Sequence, residues 1–255
     1  MVLIAVALVS ILLGVMESGA HEEAKIAIGL RDQAEAQAAA DGGVWQAVWQ
    51  SLPGRDTTWP ADTKSRDITV GDAKVVVSIE DLADRVDLNR DSGAAVAVVL
   101  QSLGIDGGVA TGLGQKLTDW RSENTEKQAM GAKLPEYKGA GLPYGPPNED
   151  YENLAEMELV LGMTPQIAKA LAPHVTIYAF GLPELSAARS QVELNALKTA
   201  LLGQPAPSPE TPTVYFYSIT AQAHVGGAVA SRNAVLRIDM NASNGGRFWR
   251  LLDWN

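Results

Sequence analysis

The first 52 residues have the hydrophobic and polar pattern of one long helix. Residues 1–16 carry no charge, and their only polar side chain is Ser10. From Glu17 onward the segment becomes polar, and apolar side chains recur at steps of three, four or seven, the spacing of one helix face. The residues predicted to form this face are Ile26, Leu30, Ala34, Ala38, Trp45, Val48 and Leu52. Pro53-Gly54 predicts the end of the helix, because proline lacks the N–H and glycine favours a turn. Gly42-Gly43 is a predicted weak point, since each glycine costs a helix interior about 1 kcal/mol.

Three interpretations compete for residues 1–16, and a membrane anchor is favoured. A cleaved secretory signal could use Ser18-Gly19-Ala20, but the segment has no basic n-region. A core helix is the third interpretation, although the run is uncharged all round. The segment is shorter than the roughly 20 residues that a span needs, which bilayer thinning or neighbouring helices could accommodate. The apolar residues assigned to this anchoring and assembly helix are Val2, Leu3, Ile4, Ala5, Leu8, Ile11 and Leu12.

The remaining pattern predicts strands on both sides of a helical block. Residues 66–70 and 73–80 are rich in β-branched side chains, and Gly71-Asp72 between them predicts a hairpin. Helices are predicted over residues 92–103, 109–123, 154–161, 165–171 and 184–202, with a long irregular stretch over 125–150 and a proline-rich linker over 204–212. Strands follow over 214–225, 234–240 and 248–254. The fold class is therefore α+β, in which a long N-terminal helix packs on an antiparallel sheet that carries a large inserted all-α domain.

This pattern divides the chain into three parts. Residues 1–52 form the anchor and long helix, residues 53–90 and 204–255 form the sheet, and residues 91–203 form the inserted helical domain.

Composition narrows the function. The apolar fraction of 46% is enough for a real core. The net charge of −10 argues against a nucleic-acid partner, because phosphate binding needs clustered Lys and Arg. The chain has no cysteine, which excludes disulfides, thiolate zinc sites and cysteine nucleophiles together but leaves the compartment open.

Seven short motifs, in this order, resemble the type II secretion system protein K family of minor pseudopilins. They are Ala39-Ala40-Asp41-Gly42-Gly43-Val44, Val86-Asp87-Leu88-Asn89, Leu117-Thr118-Asp119-Trp120-Arg121, Ala140-Gly141-Leu142-Pro143-Tyr144, Leu159-Val160-Leu161-Gly162-Met163-Thr164-Pro165, Val175-Thr176-Ile177-Tyr178 and Trp249-Arg250-Leu251-Leu252-Asp253-Trp254. The match runs over essentially the whole chain, and the motifs are specific as a set although each is weak alone.

The resemblance implies a pilin-like fold with a large helical insert, a helix anchored in the inner membrane and a body in the periplasm. It also implies a place at the tip of the pseudopilus, in complex with the minor pseudopilins I and J. Family members begin as precursors that a prepilin peptidase cleaves after a glycine, so Met1 is either the mature terminus or an incomplete start. Ala5 stands where ordinary pilins carry a glutamate, which is typical of protein K and suits a subunit with nothing stacked above it.

The resemblance further implies calcium in the insert, with Asp119, Glu123 and Asn124 as its candidate ligands. Calcium takes six to eight oxygen ligands, often from a loop. Relatives tend to carry aspartates in place of Ser122 and Asn124, and a glutamate in place of Lys133, so the site here is expected to be weakened. The alternative is a solvated acidic helix end. A second oxygen-rich loop, Asn148-Glu149-Asp150, is equally well explained as a plain turn.

A nucleic-acid-binding protein tethered to the membrane is the alternative function. The segment Leu161-Gly162-Met163-Thr164-Pro165 and the turn Leu103-Gly104-Ile105 resemble helix-hairpin-helix elements, whose turn amides can contact phosphate. Only Lys169 stands near the first of them and the net charge is unfavourable, so a packing role is favoured.

No catalytic constellation is present, because the three histidines are scattered and no nucleophile elbow or phosphate-binding glycine loop occurs.

Trp45 and Trp49 lie one helical turn apart near the end of the long helix. They are assigned either to a partner-binding face or to packing of the helix on the sheet, which is the commoner use of so large an apolar side chain.

Overall fold

The computed structural model describes residues 2–52, 58–90, 92–178, 195–196, 198–199, 213–241 and 248–255, and for residues 2–21 it describes the backbone alone. Five α-helices are described: α1 (Val2–Ser51), α2 (Gly93–Ser102), α3 (Gly107–Arg121), α4 (Leu134–Gly139) and α5 (Pro165–Leu171). Seven strands are described: β1 (Arg66–Val70), β2 (Ala73–Asp81), β3 (Val86–Asp87), β4 (Val175–Thr176), β5 (Val214–Val225), β6 (Ala228–Asp239) and β7 (Trp249–Trp254). Within this part of the chain, no helix is both long and apolar enough to cross a membrane.

The larger sheet is antiparallel and has the strand order β1-β2-β5-β6-β7. Strands β1 and β2 pair in a tight register in which Val70 lies opposite Ala73, so the two-residue turn at Gly71-Asp72 is confirmed. Gly71 has a φ of 60°, a conformation that glycine adopts without steric cost. Along β2, buried and more accessible side chains alternate, which gives the sheet one core face.

Helix α1 packs on this sheet through small side chains. Its buried residues are Ala36, Ala39, Ala40, Val44, Ala47 and Val48. A Cβ placed on Gly43 would lie 2.8 Å from Val75 Cγ1 and 3.1 Å from Ala221 Cβ, so a larger side chain would push the helix off the sheet. The cost of glycine to helix propensity is therefore offset by close packing, and Gly42-Gly43 lies within a continuous helix.

The predicted apolar face of α1 is wrong for most of its members. Ile26, Leu30, Ala34, Ala38 and Trp45 are exposed, and only Val48 and Leu52 are buried. Two physical reasons apply. From residue 22 to residue 35 the helix buries almost no side chain on any side, so Ile26, Leu30 and Ala34 are exposed there. From Ala36 onward the helix presents mainly small side chains to the sheet, and Trp45 lies outside that contact.

The insert has its own hydrophobic core. Helices α2 and α3 form a close pair, and their backbones meet where a Cβ on Gly114 would lie 2.1 Å from Gly93 O. The core of this region includes Leu100, Leu113, Trp120 and Tyr137, all of them buried. Strand β3, just before the insert in the chain, forms a two-residue parallel pair with β4, which lies inside it.

The chain forms two compact units. One comprises Met1–Glu80, Tyr217–Leu236 and Arg250–Asn255, and the other comprises Asp81–Phe216 and Arg237–Trp249. The second unit thus begins ten residues earlier in the chain than the predicted insert at residue 91. The domain boundaries derived from the sequence stay a prediction.

Several predicted elements can be compared with the structure directly. The stretch over residues 125–150 is not wholly irregular, because α4 forms within it. The predicted helix over 154–161 is a 3-10 helix, Leu154–Leu159. The predicted cap of α5 is confirmed, since Thr164 Oγ1 accepts the N–H of Ile167 at 3.3 Å. The predicted linker over 204–212 lies outside the described residues, as do Pro53-Gly54 and most of the predicted helix over 184–202.

Candidate functional sites

One side of α1 carries a row of exposed apolar side chains, which we call the α1 stripe. Its members are Ile26, Leu30, Ala34, Ala38, Trp45 and Trp49. Ile26 is 62% exposed and Leu30 68%, and from residue 22 to residue 35 every side chain except Asp32 is exposed. A row of exposed apolar side chains along a helix is typical of a surface that another helix or protein covers.

The two tryptophans continue the stripe where α1 lies on the sheet. Trp45 is 48% exposed and Trp49 56%. The Trp45 ring lies 5.6 Å from the ring of Trp254, measured between centroids, so the helix and strand β7 share an aromatic surface. Both tryptophans therefore keep about half of their surface exposed, and their assignment to a partner face stays a prediction.

Polar contacts hold α1 in place on the sheet. The guanidinium of Arg232, on β6, donates a hydrogen bond to the carboxylate of Asp41. This pair links the helix to strand β6 beside the packed residues of α1. The side chains of the predicted anchor residues, from Val2 to Leu12, lie outside the described part of the chain.

Just before the insert, buried Asn89 joins segments that are far apart in the sequence. Its Oδ1 accepts the N–H of Tyr151 at 2.7 Å, and its Nδ2 donates to the carbonyl of Tyr151 at 3.0 Å. The same Nδ2 lies 3.5 Å from the carbonyl oxygen of Ile177. The motifs that begin at Val86 and Val175 are thus brought together, because their strands pair and Asn89 bonds to the second motif.

Aromatic side chains surround this junction. Trp120, Tyr137, Tyr144 and Tyr151 pack with ring centroids between 5.9 and 6.5 Å apart. Burial raises the pKa of Tyr137 to about 12 and raises the pKa of Tyr151 well above its usual range. Both hydroxyls are used structurally, since Tyr151 donates to the carbonyl of Leu117 at 2.9 Å and Tyr137 accepts the N–H of Leu161 at 3.0 Å. The cluster is therefore a neutral, structural core.

A buried ammonium lies beside this cluster. Lys133 is 6% exposed, and its Nζ donates to the carbonyl oxygen of Asp119 at 2.7 Å, the carbonyl oxygen of Ser122 at 2.6 Å and Asn148 Oδ1 at 2.7 Å. We call these three acceptors the oxygen cluster. Burial lowers the pKa of Lys133, and the charge of Asp119 partly opposes that effect. Three acceptors match the three N–H donors of an ammonium ion.

The three candidate calcium ligands do not converge on one point. Asp119 is buried, and its carboxylate accepts the Gln128 backbone N–H at 3.0 Å. Glu123 and Asn124 are exposed beyond the end of α3. Among the residues described, no group of three or more acidic or histidine side chains is arranged to hold a metal ion. The oxygen cluster beside Asp119 already accepts hydrogen bonds from the Lys133 ammonium. Asp119, Glu123 and Asn124 therefore do not fit calcium in this arrangement.

The two hairpin-like turns use their amides internally. The N–H groups of Leu103, Gly104 and Ile105 all donate to carbonyls of α2, and the N–H of Met163 donates to Val160 O at 2.9 Å. The element before Gly162 is a 3-10 helix and not an α-helix. Amides that are already bonded are poor phosphate ligands, so the turns favour the packing role.

Comparisons with known proteins agree with this architecture. Residues 77–180 match the family model described as "Type II secretion system (T2SS), protein K". No curated protein gives a match.

A solved structure extends the likeness to most of the chain. It is a chain of "The Crystal Structure of the GspK-GspI-GspJ complex from enterotoxigenic Escherichia coli Type 2 Secretion System". The TM-score is 0.59 at 15% sequence identity, and the alignment covers 94% of this chain and 98% of that one. The predicted resemblance to type II secretion system protein K is thereby confirmed, by the family model over residues 77–180 and by a shared pilin-like fold over nearly the whole chain.

Proposed function

We propose that this chain is a minor pseudopilin of a type II secretion system, a structural subunit with no reaction of its own. The observation that carries the proposal is the α1 stripe, which leaves large apolar side chains exposed along a helix that the sheet holds rigidly. The similar fold of a chain from a GspK-GspI-GspJ complex supports the same role, because that chain is part of an assembly with two further subunits.

The partners proposed for this chain are the minor pseudopilins I and J of the same secretion system. In this assembly, partner helices would cover Ile26 and Leu30, and Trp45 and Trp49 would form the part of the contact nearest the sheet. Burial of large apolar side chains would supply most of the association free energy, at about 25 cal/mol per Å² of apolar surface. Helix α1 would thus serve as the assembly element.

The test is co-purification of the full-length chain with the minor pseudopilins I and J from the same operon. A stable complex of the three is expected. Leu30→Glu should reduce its yield about tenfold, since a charge would be buried at the contact. Gln33→Glu adds the same charge at an exposed polar position of α1 and should leave the yield unchanged. A chain that folds but binds neither partner would contradict the proposal.

The finer role proposed is at the tip of the pseudopilus, initiating or capping assembly for protein export across the outer membrane. The bulk of the insert supports it, because a subunit that carries so much added structure would obstruct addition of the next subunit above it. Deletion of residues 91–203 from the full-length chain should then lengthen the filaments seen by electron microscopy. Filaments of unchanged length would rule out the steric part of the role.

The proposed location is the inner membrane, in a single pass, with the body in the periplasm. The uncharged sequence of residues 1–16 and the resemblance to a secretion-system subunit support it. Membrane fractionation tests the anchor, because Leu8→Lys should shift the chain from the membrane to the soluble fraction. Protease added to inverted inner-membrane vesicles would test the orientation. A periplasmic body lies inside such vesicles and should be protected.

A further inference from the structure

We propose that the ammonium of Lys133 is the resident cation of the oxygen cluster, standing where a divalent ion would otherwise bind. The insert would then be held by a covalently attached charge and would need no metal. This inference concerns the ion chemistry of the insert and is independent of the assembly role of α1.

The first argument is the chemistry of the acceptors. All three are neutral oxygens, two from backbone carbonyls and one from an amide side chain, and each lies within 2.7 Å of Nζ. Carbonyl and amide oxygens are the ligands that calcium uses in proteins, together with carboxylates. An ammonium ion with three donors satisfies three such acceptors completely, whereas a neutral amine has only two N–H groups.

The second argument is that the chain is built around this point. Asn148 has a φ of 61°, which is uncommon for a residue with a Cβ, and its N–H donates to Trp120 O at 3.0 Å. This conformation presents Oδ1 to the ammonium. The backbone N–H of Lys133 is fixed as well, because it donates to Glu136 Oε2 at 2.9 Å. The loop and the N-terminus of α4 are therefore both fixed where they meet the ammonium.

The third argument is electrostatic. Asp119 is buried, and its carboxylate accepts hydrogen bonds from Gln128 while its own carbonyl receives the ammonium. A buried carboxylate needs a nearby positive charge, and Lys133 supplies one from within the chain. A calcium ion at the same place would be repelled by the ammonium and would find its three nearest oxygens already bonded.

The experiment measures the melting temperature of the full-length chain with calcium and with a chelator. Three proteins are compared: the natural sequence, Lys133→Met and Lys133→Glu. The matched controls are Lys138→Met and Lys138→Glu, because Lys138 is an exposed lysine on α4, the helix that Lys133 precedes as its N-cap residue.

The natural sequence should melt at the same temperature in calcium and in chelator. Lys133→Met should melt lower by roughly 5 °C or more in both conditions, since it leaves one buried and two partly buried acceptors without their donor. Lys133→Glu should melt lower in chelator and recover in calcium, because a carboxylate beside the same oxygens completes a calcium site. Neither Lys138 variant should shift by more than about 1 °C.

Each alternative result would overturn the inference. A natural sequence that melts lower in chelator would show that metal binds despite Lys133. An unchanged melting temperature for Lys133→Met would show that the ammonium does not hold the loop. A Lys133→Glu variant that does not recover in calcium, although hydrogen exchange over residues 119–148 stays native-like, would show that the cluster is no cation site.

Discussion

The insert should depend strongly on one buried amide, that of Asn89. Substitution by alanine removes the two hydrogen bonds to the backbone of Tyr151, at 2.7 and 3.0 Å, together with the longer contact to Ile177 O. Tyr151 is 3% exposed, so water does not replace the lost partners. The two orphaned groups each cost about 1–3 kcal/mol, which gives an expected loss of about 2–6 kcal/mol in the free energy of unfolding.

The assay is urea denaturation of the full-length chain, with Asn124→Ala as the matched control. Asn124 is an exposed asparagine after α3, and its substitution should change the free energy of unfolding by less than about 0.5 kcal/mol. Hydrogen exchange then localises the effect, because the amide of Tyr151 loses its acceptor and should exchange faster. Equal effects of the two substitutions, or unchanged protection of Tyr151, would refute the assignment of Asn89 as the link between the motifs.

Three further predictions follow from local geometry. The free energy of unfolding in urea should be about 1–3 kcal/mol lower for Gly43→Ala than for Gly29→Ala. Both substitutions raise helix propensity, but only the Cβ at position 43 meets Val75 and Ala221. Equal free energies would contradict the close packing of α1. Thr164→Ala should cost about 1 kcal/mol through loss of the cap on α5, and an unchanged urea midpoint would show that the cap contributes nothing. Burial raises the pKa of Tyr137 to about 12, against roughly 10 in the unfolded chain, so its contribution to stability is complete below pH 10 and is lost between pH 10 and 12. The urea midpoint of the natural sequence should therefore fall more steeply with pH in that window than that of Tyr137→Phe, and identical slopes would contradict it.

Short-range chemistry made much of the fold predictable. The hairpin at Gly71-Asp72 and the cap at Thr164 depend on residues within a few positions of one another, and both are confirmed. The length of α1 was also predictable, since no strong helix breaker occurs before Pro53. These features need no knowledge of what the segment packs against.

The orientation of α1 was not predictable from the same pattern. Periodicity selects the largest apolar residues as the buried face, but Ile26, Leu30 and Trp45 are exposed and the sheet is contacted through alanine and glycine. Two apolar surfaces share one helix, and hydrophobicity alone does not say which of them the chain covers itself. The glycine pair carried the signal that was missed, because glycine within a long helix indicates close approach of another backbone or side chain.

The ion chemistry of the insert needed three-dimensional information for a different reason. Asp119, Glu123 and Asn124 are close in sequence, yet the end of α3 directs Asp119 into the core and leaves the other two exposed. Lys133 and Asn148 are distant in sequence, and the intervening loop and α4 bring them to the same oxygens. In the sequence Lys133 indicated only a weakened calcium site, whereas in the fold its ammonium donates to three oxygens, which is the basis of the proposal that it replaces the metal.

The hydrogen bonds of Asn89 and Lys133 concern the stability of the chain, whereas the α1 stripe concerns its contacts with partners. Two buried polar side chains in or just before the insert, Asn89 and Lys133, are bonded to other groups of the same chain, so the stability of this region should be insensitive to metal and to other proteins. The α1 stripe differs, because Ile26 and Leu30 are exposed. A chain with a self-sufficient insert and an incomplete helix surface is suited to assembly through the helix. Substitutions in the insert core should therefore lower stability and leave partner affinity intact in the folded fraction, whereas substitutions in the stripe should do the opposite.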